Sequence, residues 1–441
     1  MLGMGKVVKL EPTLKKGSSG AGSRERRLAA RGVGRPASTD RRSRPRRDKT
    51  ALVLGGGGFT GGVYEIGALR ALDLLAVNST VNNFDVYVGT SAGAFIASLC
   101  ANGVTPEEMM RVVTRKGGKA PFKDIDIGDL LRPNLLEFAR KGATMPLKAL
   151  SALRQFAGTR GGVSAMDLVL GLADVFPSGF YTGAGIESYL EEVLGEPGRS
   201  NDFRNLDCEL YLTATDLDTC ERVVFGVPGM DDVPISSAVR ASGALPMVYS
   251  PVEIGDRELI DGGIVSTTNL DLAIQAGAKL VVVINPIVPF VNDFADSVKT
   301  LRGRRPKRVS DGGFAQIGYQ VFKLVAHQRL HELAKGWEER YPGVDIVLIE
   351  PEPTDELMFQ TSMMSFTSRV EIARHGFESV TKQLAGEYER YQEVAERHGL
   401  EISGKRVRQV VAHFDEEPES VSAWRKILEG TTGALLRQSA G

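Results

Sequence analysis

Apolar positions along this chain alternate between two spacings. Short continuous runs rich in β-branched residues, at Thr50–Leu54, Val86–Val88, Glu209–Thr215, Leu280–Ile284 and Asp345–Ile349, read as strands buried on both faces. Between them apolar residues recur at helical spacing, as in Val63, Ile66, Leu69, Leu72 and Leu75, which would bury one helix face. Strand and helix alternate, so the pattern predicts an α/β protein with a parallel sheet covered on both sides.

Further elements follow from turn and cap residues. Ala94 onward continues as a helix until Asn102-Gly103 stops it, and Thr105-Pro106-Glu107-Glu108 starts the next, with Thr105 as cap and Glu108 at the third position. Asp216-Leu217-Asp218-Thr219 is a turn before a strand at Arg222–Phe225, Ile235–Ser242 is a small-residue helix suited to close packing on a sheet, and Glu258-Leu259-Ile260 is a strand running into Asp261. Arg369–Leu384 is predicted helical.

The alternation lapses from about Lys116 to Ser178, where basic and apolar residues mix at helical spacing, as in Leu135–Lys141 and Leu147–Phe156. An ordinary packed insertion and a mobile amphipathic lid both fit that spacing. The last forty residues are polar, with at most a loosely docked helix around Val421–Leu428. The expected organisation is a tail at 1–48, a main domain at 49–400 holding the 116–178 insertion, and a polar extension at 401–441.

Charge changes the picture at one end. The chain of 441 residues has a net charge of −1, but residues 1–50 carry 15 Lys+Arg against 4 Asp+Glu, net +11, leaving net −12 for the rest. The tail has no apolar periodicity and is expected to be disordered, either simply solvated or tethering the protein to anionic lipid. Nucleic acid is not an expected partner, because the tail lacks aromatic residues that would stack on bases. Cys100, Cys208 and Cys220 are widely spaced and suggest neither disulfides nor a zinc site, which points to a reducing compartment such as the cytoplasm. No run is long enough to span a bilayer and no signal-type apolar segment follows the charged N-terminus, so a soluble or peripherally membrane-associated protein is expected.

Chemistry concentrates in three places. Gly89-Thr90-Ser91-Ala92-Gly93 joins a strand to a helix, the setting in which a sharp turn projects a serine hydroxyl from the end of a sheet, so Ser91 is the candidate nucleophile. Gly55 to Gly62 joins a strand to a helix N-terminus and presents backbone N–H groups to an anion. Gly56-x-Gly58-x-x-Gly61 formally fits a dinucleotide fingerprint, with Asp73 or Asp85 as the ribose acid, though neither ends a second strand at the expected interval; a Walker loop fails because Gly62 stands where lysine is required. Asp261, before Gly262 and Gly263, suits a catalytic group at a cleft and suits a plain turn equally.

With these three stations in order, the chain resembles the patatin-like phospholipase family of serine lipid acyl hydrolases. Leu52 to Gly61 is similar to its glycine-rich oxyanion loop, Gly89 to Gly93 to its nucleophile turn, and Asp261-Gly262-Gly263 to its Asp-Gly-Gly/Ala motif. Ala214–Thr219, Ala241–Pro246 and Met364–Arg369 are further echoes, so the likeness covers roughly residues 50–390. The resemblance implies a doubly wound, mostly parallel α/β fold and a Ser91–Asp261 dyad cleaving lipid acyl esters through an acyl-enzyme. It also implies an oxyanion hole from the Gly57 and Gly58 amides within the Gly56–Gly61 loop, and no cofactor. The basic residue usual in that loop is Thr60 here, which keeps the amides and removes a local positive charge.

Two other functions compete with this one, a binding module on the same fold and a non-enzymatic membrane-docking protein in which the basic tail is the working part. A catalytically weak patatin fold could bind lipid or nucleotide, although a nucleotide loop would explain neither the serine turn nor Asp261-Gly262-Gly263. Metal catalysis is not expected: His327 and His331 lie four apart, but Gln328 replaces the glutamate of a zinc-hydrolase motif, and a solvated helix face accounts for the pair. The five histidines, His327, His331, His375, His398 and His413, all lie in the helical C-terminal part and none follows a strand end, so Asp261 rather than an imidazole is the expected base.

Overall fold

The computed structural model describes residues 48–114, 128, 131–141, 177–294, 297–300, 303–361 and 364–415. The basic tail, most of the 116–178 insertion and the segment around Val421–Leu428 lie outside them. Eight strands form the main sheet: β1 (Thr50–Leu54), β2 (Val86–Thr90), β3 (Glu209–Asp216), β4 (Arg222–Phe225), β5 (Val252–Ile254), β6 (Arg257–Asp261), β7 (Leu280–Ile284) and β8 (Asp345–Ile349). Their order is β8-β7-β1-β2-β3-β6-β5, with β4 paired to β3. The first five in that order are mutually parallel. The pairs β3–β4, β3–β6 and β5–β6 are antiparallel. The fold is therefore α/β and mostly parallel, and the parallel strands are those whose apolar runs are unbroken, because helices cover both of their faces.

On one face lie α1 (Gly58–Leu75), α2 (Ala92–Ala101), α3 (Pro106–Thr114), α4 (Ala184–Leu194) and α5 (Ile235–Ser242), joined by α7 (Arg369–Gly386) and α8 (Gly404–Asp415). The opposite face packs Leu270, Leu272 and Ala273 together with Leu330, Ala334 and Trp337, the last three from the end of α6 (Gly313–Ala334) and just beyond it. Thr105 and Glu108 form the expected capping box at α3: the Glu108 carboxylate accepts from Thr105 N at 2.9 Å, and Glu108 N donates to Thr105 Oγ1 at 3.3 Å.

Three elements depart from their sequence patterns. α1 does not bury a single face: every residue from Thr60 to Ala71 is buried, because α2, α3 and α7 wall it in from several sides. Its crossing with α7 is a backbone contact, since a Cβ at Gly67 would lie 2.3 Å from Ala373 O and one at Gly376 would lie 2.5 Å from Tyr64 O. α8 was not visible in a polar C-terminal stretch, yet Val407, Val410 and Val411, at positions i, i+3 and i+4, pack on the core. α6 is inverted: Lys323 is buried while Ile317, Val321, Leu324 and Val325 are exposed. Its polar face turns inward because Glu350 and Asp355 follow β8 beneath it. Burial lowers the Lys323 ammonium to about 8, against the attraction of Asp355, and the ammonium sits 4.5 Å over the Tyr319 ring.

His327 and His331 correspondingly do not form a solvated face. Both are half-buried and turned toward Glu350, and His331 Nε2 is 2.8 Å from Glu350 Oε2. No helix among the described residues is long and apolar enough to cross a membrane.

Candidate active site

Strand register brings the three motifs to one edge of the sheet. β1 and β2 run parallel with Leu54 opposite Gly89, so the glycine loop after Leu54 and the serine turn after Thr90 leave the sheet side by side. Thr90 pairs with Thr213 in β3, and the next residue, Ala214, pairs with Asp261 in the antiparallel β6. Ser91 and Asp261 thus reach the same level across β3, and Ser91 Oγ lies 2.5 Å from Asp261 Oδ2.

The serine turn is under local strain. Ser91 has φ 56° and ψ −123°, outside the regions an L-residue ordinarily occupies, as expected where a strand turns abruptly into a helix. The turn closes only because its flanks are bare: a Cβ at Gly93 would lie 2.3 Å from Gly55 O and one at Gly89 would lie 2.5 Å from Ala94 Cα. Gly93 N donates to Gly55 O at 3.0 Å, which ties the serine turn to the glycine loop. Ser91 N donates to Ser242 Oγ at 2.8 Å.

Gly56, Gly57 and Gly58 pass over the serine. A Cβ at Gly56 would touch Ser91 Cβ at 3.3 Å, and Gly57, with φ 138°, is the N-cap of α1. Gly58 is the first helical residue, so its amide belongs to the first turn, whose N–H groups have no intrahelical acceptor, and the positive end of the helix dipole points at the serine. Gly61 N closes the loop by donating to Gly57 O at 3.0 Å. Thr60 is buried and does not project a charge. Beneath the loop, burial holds the Glu65 carboxyl well above the usual carboxylate range, partly opposed by the Gly55 amide.

Asp261 ends β6 and is buried. Burial pushes its carboxyl up to about 6, against the hydrogen bond from Ser91 and that from the Gly263 amide, which donates to Oδ1 at 2.7 Å. Gly262 leaves room for Thr213 O, which a Cβ there would meet at 2.3 Å. Among the described residues, no histidine contacts Ser91 or Asp261: His331 meets Glu350, His375 meets Asp355, and His398 meets Asp48 and Asp345.

A supporting network was not visible in the sequence. Asn269, held at φ 48°, donates through Nδ2 to Thr90 Oγ1 at 2.9 Å and Thr213 Oγ1 at 3.0 Å, locking β2 to β3 directly behind Ser91. Arg222 holds Asn269 Oδ1 at 3.0 Å and pairs with Asp271. Thr215 Oγ1 donates to Asp261 O at 3.0 Å. These residues come from four separate stretches of chain, and only their fold position distinguishes them from ordinary polar residues. Ser242 alone carried a signal, as the end of a small-residue helix.

Ser91 opens onto a cleft between α1, α2, α4 and α5. Its walls are almost entirely carbon, with Phe59, Val63, Ile66, Phe95, Ile96 and Val239 prominent. Phe95 stacks on Tyr189 and Phe59 on Phe366, which stiffens the walls. The lining is apolar right up to Ser91.

A serine at a strained strand–helix turn, a buried carboxyl within hydrogen-bond reach of its hydroxyl and the glycine loop that opens α1 thus lie together at one edge of an α/β sheet. The chain belongs to the patatin-like phospholipase family, whose model matches residues 52–274. It is 25% identical over 238 residues to a probable lipid hydrolase of Invertebrate iridescent virus 6, a match covering 53% of this chain and 65% of the viral protein, a little under two thirds of its length. Solved structures that overlay on it include VipD from Legionella pneumophila (TM-score 0.29, 12% identity, 90% of this chain and 86% of that one). Another is ExoU of Pseudomonas aeruginosa, solved with SpcU (TM-score 0.27, 15% identity, 89% and 74%). A third is human GIVD cytosolic phospholipase A2 in complex with a methyl linolenyl fluorophosphonate (TM-score 0.29, 10% identity, 75% and 57%).

Proposed function

We propose that this protein is a lipid acyl hydrolase of the phospholipase or esterase type, using Ser91 as nucleophile and Asp261 as general base. The observation that carries the reading is the 2.5 Å contact between Ser91 Oγ and Asp261 Oδ2 at the mouth of an apolar cleft. Family membership and the viral relative described as a probable lipid hydrolase support the substrate class.

The acyl chain lies along the cleft and its ester carbonyl rests against Ser91. Asp261 takes the hydroxyl proton as Oγ attacks the carbonyl carbon, and the Gly57 and Gly58 amides receive the developing oxyanion. In acyl transfer a single such donor is worth about 3 kcal/mol in the transition state. Collapse of the tetrahedral intermediate expels the alcohol portion of the lipid, which leaves with the proton held by Asp261. Water, deprotonated by the same carboxylate, then cleaves the acyl-serine to release the fatty acid and restore Ser91. A carboxylate is a weaker base than imidazole, and the upward shift of Asp261 brings it closer to the working range.

The test is a fluorophosphonate probe and a short-chain chromogenic ester, applied to Ser91→Ala, Asp261→Asn and single Gln variants of the five histidines, each checked for folding. Wild-type protein should label at Ser91, and both dyad variants should lose turnover by roughly 10³-fold or more, the scale seen when a nucleophile or base is removed. The histidine variants should keep most activity. A folded wild-type protein that binds lipid yet neither labels nor turns over would make this a binding module.

A further inference from the structure

His327, His331 and Glu350 bring two imidazoles and a carboxylate together at a place the hydrolase chemistry does not use. Their donor atoms all lie within 4.8 Å of one another, and the two rings, one helical turn apart on α6, have centroids 4.1 Å apart. We propose that these three side chains form a binding site for a divalent transition-metal ion, with Zn²⁺ the best match to a donor set of two nitrogens and one oxygen.

Three features favour an ion over a plain ion pair. The first is geometry: four-coordinate Zn²⁺ with bonds of about 2.0–2.1 Å spaces its donors roughly 3.3 Å apart, so donors already within 4.8 Å close on it by small side-chain rotations. Second, Glu350 is oriented as a metal-binding carboxylate is: it is buried, Asn285 Nδ2 donates to its Oε1 at 2.7 Å, and Oε2 is left facing the imidazoles. Third, the pair with His331 uses only one imidazole, and His327 is turned inward beside it on a helix that exposes apolar residues instead. The two half-buried histidines leave the remaining coordination position toward solvent. Gln328, which breaks the metallohydrolase pattern, bears only on a catalytic role and not on binding, because the third ligand comes from the end of β8 rather than from the helix.

An ion here would clasp α6 to β8. Its influence would reach the neighbouring strand through Asn285, which also bonds across to Ile287, a residue whose side chain packs beneath Gly56.

The test uses full-length protein stripped with chelator, titrated with ZnCl₂ by calorimetry in a Cys220→Ser background that removes the exposed thiol. One equivalent should bind, the melting temperature should rise with Zn²⁺, and Co²⁺ should give the intense visible absorption of a four-coordinate site. His327→Gln is the deciding variant, because it leaves the His331–Glu350 pair intact. It should weaken Zn²⁺ binding by more than the roughly 10–100-fold expected for Asn285→Ala, which only orients a ligand. Absence of a stoichiometric site in the wild-type chain, or a folded His327→Gln protein that binds Zn²⁺ as tightly as wild type, overturns the proposal and leaves a hydrogen-bonded ion pair.

Discussion

The backbone at Ser91 and the carboxyl of Asp261 are both held in states they would not adopt in a free peptide, and each has a measurable consequence. In the proposed role of base Asp261 acts only when ionised, so kcat/KM on a soluble ester should fall tenfold per pH unit below about 6, the value to which burial raises it. An imidazole base could give a similar limb, but the two differ in ionisation enthalpy. The limb of a carboxylate should scarcely move between 10 and 35 °C (roughly the range a mesophilic domain tolerates), whereas that of a histidine should drift clearly to lower pH on warming. A limb that drifts in this way would exclude Asp261 as the titrating base. Both residues were legible in the sequence because a strand, a turn and two glycines are local features. Asn269 was not, because it acts on strands far away in the chain. Glu350 was hidden for the same reason: nothing nearby in sequence marks it as the partner of two histidines on a helix that ends before β8 begins.

At the scale of elements, the continuous apolar runs located the parallel strands closely, since a strand buried on both faces has no polar position to blur its ends. Direction was harder to read. β6 looks like its neighbours in sequence, yet it runs antiparallel to β3, and that reversal is what carries Asp261 back to the serine. Helix environment was harder still, because α1 buries all its sides and α6 faces the wrong way for its composition. The α1–α7 crossing gives a direct check. Gly67→Ala puts a methyl 2.3 Å from Ala373 O, a clash with backbone that no rotamer relieves. The change should cost about 3 kcal/mol or more and lower the melting temperature by roughly 4 °C or more. Gly103→Ala is the comparison: a Cβ there meets nothing, so only its left-handed backbone is strained and the loss should be smaller. Equal losses at the two sites would mean that α1 and α7 do not pack so closely.

For the molecule as a whole, the family match stops short of elements that complete the sheet and cover α1. The family match ends at 274, before β7, β8, α7 and α8. β7 is the neighbour of β1 in the sheet, and α7 covers α1, so a chain ending at 274 exposes an edge of β1 and one side of α1. We expect residues 48–274 to aggregate or remain molten, and residues 48–415 to unfold cooperatively with resolved near-ultraviolet dichroism. A cooperative transition from the shorter chain would place the folding unit within the family match after all.

The buried carboxyl at Asp261 also sets a conflict between durability and turnover. Its proton is held to about pH 6 in the folded protein, against an ordinary value of 3.8, so the unfolded chain releases it first as pH rises. The contribution of this one carboxyl to stability therefore declines from about pH 4 through pH 6, and at neutral pH it is a penalty of about 3 kcal/mol for keeping that charge out of water. Asp261→Asn removes the charge and keeps the shape, so the inactive variant should melt higher than wild type at pH 7.5, and the gap should shrink toward zero at pH 4. A random library sorted only for heat resistance should accumulate uncharged residues at position 261, and the same library sorted for ester cleavage should lose them.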